Sequence, residues 1–185
     1  MPLYQNSTVS SSKLILGNYK IETAATSGGT FVNLGAGMVN SFGHQIEKYE
    51  VQAGNAPDPL EGIARETFTV DMELIEWDGS VLSAINCGAV SETSTSVLST
   101  MIGGGNQELT PRAFKLTNTR LVNGATKETV ITLYKATLDN GIQVTAKSDN
   151  DADPINVLPI TLTAKLDTSK SAGTQLFTIT RSIWT

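Results

Sequence analysis

The chain has 185 residues, of which 17% are charged and 39% hydrophobic, with a formal net charge of −5 at pH 7. The acidic balance leaves no basic surface to neutralise phosphates, which argues against tight nucleic-acid binding. The single Cys87 excludes an internal disulfide, no apolar run approaches the roughly 20 residues of a membrane-spanning helix, and 6% aromatics is too few for the girdles of an outer-membrane barrel.

A domain of this size buries about 70% of the surface its unfolded chain exposes, so one full core is within reach. Threonine, isoleucine and valine number 24, 13 and 12, so 49 of 185 residues carry the stiff β-branched side chain that suits a pleated strand. The expectation is a single all-β domain over residues 1–185, β-sandwich or barrel-like, with one short flanking α-helix and long loops.

Met1 to Lys13 are polar and Ser-rich, without the basic and apolar regions of a signal peptide, and residues 1–12 read as a flexible N-terminal arm. The sequon Asn6-Ser7-Thr8 is of a kind that arises by chance in a chain so rich in Ser and Thr. Strands are expected over Leu14 to Glu22, Thr30 to Val39 and Gln45 to Gln52, with a bend or bulge at Gly35 and Gly37. The stretch Gly54-Asn55-Ala56-Pro57-Asp58-Pro59 follows, and its two prolines cannot join a central strand.

Phe68, Val70, Met72 and Leu74 then alternate with Thr67, Thr69, Asp71 and Glu73, the clearest strand of the first half, with an acidic outer face. A short helix is expected next: Asp78 or Ser80 can cap it, Val81, Leu82 and Ile85 form one stripe, and Gly88 can close it. From Ala89 to Pro111 the chain is rich in Ser, Thr and Gly, and Val97, Leu98, Met101 and Ile102 before Gly103-Gly104-Gly105 read as a second helix or a loop.

The second half reads as a meander. Asn123-Gly124 separates a strand over Arg112 to Val122 from one over Thr126 to Leu138, and Asp139-Asn140-Gly141 supplies another tight turn before Ile142, Val144 and Ala146. Ile160, Leu162, Ala164 and Leu166 share one face of a further strand. The last, Leu176 to Ile183, places Phe177, Ile179 and Ile183 on one side, with Arg181 interrupting as a charge that protects an edge.

Chemistry is sparse. His44 is the only histidine, and no G-x-S-x-G, H-E-x-x-H, C-x-x-C or Walker-type loop is present, so no catalytic residue, cofactor or metal site is assigned. A His44–Cys87 pair lacks a third orienting group. Asp149, Asp151 and Asp153 have the first offsets of a calcium loop, but Pro154 stands where glycine is needed. A carboxylate pair for glycoside chemistry could be drawn from Glu66, Asp71, Glu73 and Glu76, and their spacing does not demand it. Trp77 and Trp184 are read as packing residues before sugar platforms.

The segment Pro57-Asp58-Pro59 through Ala64-Arg65-Glu66-Thr67-Phe68-Thr69-Val70-Asp71-Met72-Glu73-Leu74, then Asp78-Gly79-Ser80-Val81-Leu82, resembles the major tail tube proteins of long-tailed bacteriophages. In architecture the likeness extends to the tubes of contractile tails and of type VI secretion. The resemblance implies a non-enzymatic virion protein, made in the host cytoplasm, that assembles with copies of itself into stacked hexameric rings. It implies tape-measure, tail-terminator and baseplate proteins as further partners, no membrane, and a lumen through which DNA passes without specific binding.

Six chains at −5 sum to −30 per ring. On this reading Asp71 and Glu73 face the lumen, while Gly54, Pro57, Asp58 and Pro59 with Gly103, Gly104 and Gly105 belong to assembly loops. Two other readings compete. A β-sandwich binding module of adhesin or carbohydrate-binding type predicts a stable monomer that binds glycan, and a carboxylate-pair hydrolase predicts turnover in a pocket with perturbed acids.

Overall fold

The alternation around Phe68 is the local rule on which the fold is built. In a strand, residues two apart share a face, and on this strand the four apolar side chains Phe68, Val70, Met72 and Leu74 are all buried. The computed structural model describes residues 18–51, 60–75, 79–85, 90–94, 99–103, 109–122, 124–139 and 157–182. In chain order these form β1 (Asn18–Ala24), β2 (Val32–Val51), β3 (Leu60–Leu74), α1 (Gly79–Ile85), β4 (Val90–Ser94), β5 (Ser99–Gly103), β6 (Arg112–Val122), β7 (Ala125–Leu138), β8 (Leu158–Ala164) and β9 (Phe177–Arg181).

Seven strands form one antiparallel sheet in the order β6-β1-β2-β3-β8-β7-β9. Strand β7 also pairs with β6, from Arg112↔Ala136 to Val122↔Ala125, so the first six strands close on themselves as a barrel. Closure pairs β6 with β7 and so covers edges of the barrel that would otherwise invite aggregation. Ile21, Phe68, Val70, Phe114, Leu116, Ile131, Leu133 and Leu162 fill the interior, and Val81, Leu82 and Ile85 of α1 pack into the same core. The stripe read from the helix sequence is therefore the buried one.

Several expectations meet the structure directly. Gly124 turns the β6–β7 hairpin at φ 77°, as the Asn-Gly pair requires. Gly35, at φ 107°, lies where the β1–β2 register slips between Ile21 and Glu22, which is the bulge expected at this glycine.

Other expectations are corrected. The two strands placed at Thr30 to Val39 and Gln45 to Gln52 fall in one strand of 20 residues, Val32–Val51, because nothing between Asn40 and His44 turns the chain and β3 runs beside it from Gly37 to Val51. Only a register shift between Val39 and Ser41 marks the expected break. The stretch read as a helix or loop contains the β4–β5 hairpin, Val90↔Gly103 to Ser94↔Ser99, so Gly103 sits in a strand. Ser and Thr compete with helix hydrogen bonds, which favours the extended alternative here.

Strand β8 ends at Ala164, and Leu166 is 56% exposed instead of sharing the buried face. The chain turns there because Asp167 N donates to Gln175 O and the Asp167 carboxylate accepts from Ser169 N and Oγ. Residues 1–12, Gly54, Pro57, Asp58, Pro59, Gly104 and Gly105 lie outside the described residues. So do Cys87, Trp77, Trp184, Glu76, the strand read over Ile142 to Ala146, and Asp149, Asp151 and Asp153.

Candidate assembly surface

Strands β2 and β3 outrun the barrel. Among the described residues, strand β1 accompanies β2 as far as Asn18↔Met38, and β8 joins β3 from Thr69↔Thr163 onward. Beyond these points Asn40–Val51 and Leu60–Phe68 pair, among the described residues, with each other alone. Among the described residues this two-stranded arm has no strand on either outer edge. A ribbon with two open edges and no core of its own is marginal in water, so a partner is physically favoured.

The register divides the arm into two faces. Phe42, His44, Ile46 and Lys48 lie opposite Val70, Phe68, Glu66 and Ile63 on the face that continues the barrel interior. Gln45, Glu47 and Tyr49 lie opposite Thr67, Arg65 and Gly62 on the other. Exposed apolar side chains occupy both faces: Phe42, Ile46 and Ile63 on the first, Tyr49 and Val51 on the second. Lys48 reaches Glu61 at 3.4 Å, a surface pair of little energetic weight.

Where the arm leaves the barrel, β9 lies beside it. Phe177 stacks on Phe68 with centroids 3.8 Å apart, and His44 meets Phe177 edge-on at 5.5 Å. Between arm and strand runs a groove of about 410 Å³ lined by His44, Glu66, Leu166, Leu176, Phe177 and Ile179. Tyr134 N donates to Leu176 O and Ser182 N to Glu128 O, so even-numbered residues of β9 turn their backbone groups towards β7. Phe177 and Ile179 therefore turn theirs away, towards an edge with no strand among the described residues.

Asp71 and Glu73 stand on the non-core face of β3. Asp71 accepts from Ser41 Oγ on β2 at 2.6 Å and from Thr161 Oγ1 on β8 at 2.8 Å. These hydrogen bonds, the Ser41 one foremost, hold its carboxyl below the usual carboxylate range against the opposing effect of burial. Glu73 accepts from Asn40 Nδ2 at 3.2 Å, and Asp139 accepts from Thr163 Oγ1 on the same side of the sheet. Across from Asp71 stand Ser41 and Thr161, and across from Glu73 stand Met38 and Pro159, so no cation opposes either carboxylate.

Cations gather elsewhere. Glu22 on β1 is flanked by Lys20 at 2.8 Å and by Lys115 of β6 at 3.3 Å. Burial pushes its carboxyl up, but the hydrogen bonds from the two lysines prevail and leave it lowered. Lys135 of β7 holds Asp167 at 3.1 Å. The outer-face carboxylates of β3 thus stand without a cation partner among the described residues, whereas Lys20, Lys115 and Lys135 are paired with Glu22 and Asp167.

The carboxylates considered for glycoside chemistry do not converge, since Glu66 points to the opposite face from Asp71 and Glu73. Among the described residues no group of three His, Cys, Asp or Glu side chains is placed to hold a metal ion, and no helix is long and apolar enough to cross a membrane. Sequence reasoning missed the arm as a unit. The signal was present: from Ile46 to Val51 apolar residues occur on both alternating faces, so neither face could be the only one in need of cover.

No family model matches the sequence, and no curated protein matches it. Among solved structures, the chain is similar to the tube-terminating cap of the anti-feeding prophage, at 8% identity over 96% of this chain and 100% of that one, with a TM-score of 0.46. It is also similar to an Hcp protein, at 11% identity over 90% of this chain and 99% of that one, with a TM-score of 0.37. Scores below 0.5 leave both likenesses too loose to assign a shared function.

Proposed function

We propose that the protein is a non-enzymatic structural subunit that assembles with copies of itself into stacked hexameric rings, as the tube of a phage-type tail. The observation that carries this reading is the arm: Asn40–Val51 with Leu60–Phe68 has no strand on either outer edge among the described residues and exposes Phe42, Ile46, Tyr49, Val51 and Ile63. Strand addition by a neighbouring copy gives those edges partners and removes the apolar side chains from water. The Phe177–Ile179 edge of β9 is a second surface of the same kind.

The face bearing Asp71 and Glu73 is the proposed lumen wall. Repulsion of DNA acts only within a Debye length, about 8 Å at physiological salt, so the carboxylates that face the channel are the ones that matter. In this reading tape-measure, tail-terminator and baseplate proteins are the further partners, the virion tail is the location, and DNA passes without specific binding.

Negative-stain electron microscopy of the purified protein, fresh and after concentration, is the direct test. Stacked rings or hollow tubes are expected from the wild type, and Ile46→Glu with Ile63→Glu should leave isolated particles of unchanged thermal stability. A wild type that stays monomeric at every concentration, together with a stable glycan-binding activity, would sink the reading.

A further inference from the structure

We propose that the chain's own lead segment, Lys13 to Gly17, continues β1 along the open edge of β2 and so covers one side of the arm. Of the arm's two edges this assigns that of β2 to the same chain and leaves that of β3, with β9, for a neighbouring copy. The pairing stands whether or not rings form.

The register of β1 carries the inference. Strand β1 runs antiparallel to β2 with Tyr19 opposite Gly37 and Asn18 opposite Met38, the last pair among the described residues. Ile75 N donates to Ala36 O, so Ala36 and Met38 turn their backbone groups towards β3, and Gly37 and Val39 turn theirs towards β1. Val39 is 9% exposed, and the residue next in line to take up its N–H and C=O is Gly17. Buried backbone groups are almost always paired. The chain before Asn18 therefore starts at the place, and in the direction, that the β2 edge requires.

Side-chain faces set how the pairing continues. Val39 and Phe42 share the interior face, Phe42 with its ring 6.2 Å from that of Phe68, whereas Asn40 and Ser41 both donate to carboxylates of the outer face, Glu73 and Asp71. Asn40 is thus the extra residue of the bulge between Val39 and Ser41. A regular strand that sets Gly17 beside Val39 sets Leu16 across from Asn40 and Ser41, and Ile15 beside Phe42, which is 39% exposed. Lys13 then falls beside His44. The composition of the segment suits this position. Leu14, Ile15 and Leu16 offer apolar side chains to both faces, and residues 1–17 carry Lys13 and no acid, while Glu47, Glu50, Glu61 and Glu66 outnumber Lys48 and Arg65 on the ribbon.

The test is disulfide trapping in the dilute full chain, with Cys87→Ser removing the native thiol. Ile15→Cys with Phe42→Cys should close a bridge within one chain at least about ten-fold faster than Leu16→Cys with Phe42→Cys, because successive residues of a strand point to opposite faces. In the otherwise native chain, Ile15→Pro removes the N–H that donates to Phe42 O in this register, and it should speed hydrogen exchange at the amides of Phe42 and His44 about ten-fold. Amides of β6 and β7 serve as the internal control. Bridges that form only between chains give the edge to a second copy and overturn the proposal. Equal rates for the two cysteine pairs, or exchange that Ile15→Pro leaves unchanged, overturn it as well.

Discussion

The ring of Tyr49 on β2 lies across Gly62 on β3 so closely that a Cβ built on the glycine would meet Tyr49 Cζ at 2.4 Å. An aromatic covering a cross-strand glycine shields backbone that would otherwise be open to water, and it is one of the few packing contacts available to the arm. In a proton NMR spectrum the Hα signals of Gly62 should be shifted upfield by the ring, and Tyr49→Ala should return them to ordinary values. Gly62→Ala should displace the ring while leaving the melting temperature within about 2 °C, since the barrel core is untouched. An ordinary Gly62 shift in the wild type would refute the contact.

Gly37 and Gly43 lie six residues apart on the same strand and should respond oppositely to a methyl group. A Cβ at Gly37 would meet Ile21 Cδ1 at 2.5 Å and the Glu73 carbonyl oxygen at 2.8 Å, whereas a Cβ at Gly43 meets nothing within 4 Å. Gly37→Ala should cost about 1–3 kcal/mol through overpacking, and Gly43→Ala should stay within about 0.5 kcal/mol of wild type. Urea unfolding with unchanged m-values would report both.

Tyr19 is 3% exposed and its hydroxyl has no hydrogen-bond partner among the described residues. Burial pushes its pKa up, with Arg181 opposing. A buried hydroxyl without a partner loses its hydration and receives nothing in return. Tyr19→Phe should therefore be neutral or stabilise by up to about 1 kcal/mol. A loss of more than that in thermal unfolding would show that the hydroxyl is satisfied in solution.

Asp71 predicts a pH dependence with a definite sign. Its folded-state pKa lies below the unfolded value, so its contribution to stability is complete above the ordinary carboxylate range near 4 and is lost as pH falls through the folded value. Asp71→Asn should cost on the order of 1 kcal/mol at pH 7. The gap from wild type should close below about pH 3. A difference in melting temperature that stays constant from pH 7 to pH 2.5 would assign the effect to shape and not to charge.

If the Asp71 and Glu73 face lines a channel, Asp71→Lys with Glu73→Lys should slow DNA passage in an infection assay while tubes still form. Full infectivity of the double variant would remove these two residues from the lumen.

The sequence by itself determined the β class, the short helix with its Val81, Leu82 and Ile85 stripe, the buried face of β3, and the Gly124 turn, because each depends on residues within one or two turns of chain. It also placed Asp71 and Glu73 on a wet face by alternation alone. Only the tertiary structure decided that Thr30 to Val39 and Gln45 to Gln52 are one strand, since continuity there comes from β3 running alongside and not from any local propensity. Barrel closure, which needs β1 to reach β6 and β3 to reach β8, and the turn that takes Leu166 out of the core likewise depend on partners more distant in sequence. The arm belongs to the same class: which apolar residues of a strand go uncovered is set by how far the neighbouring strands run, and among the described residues β8 leaves β3 after Thr163.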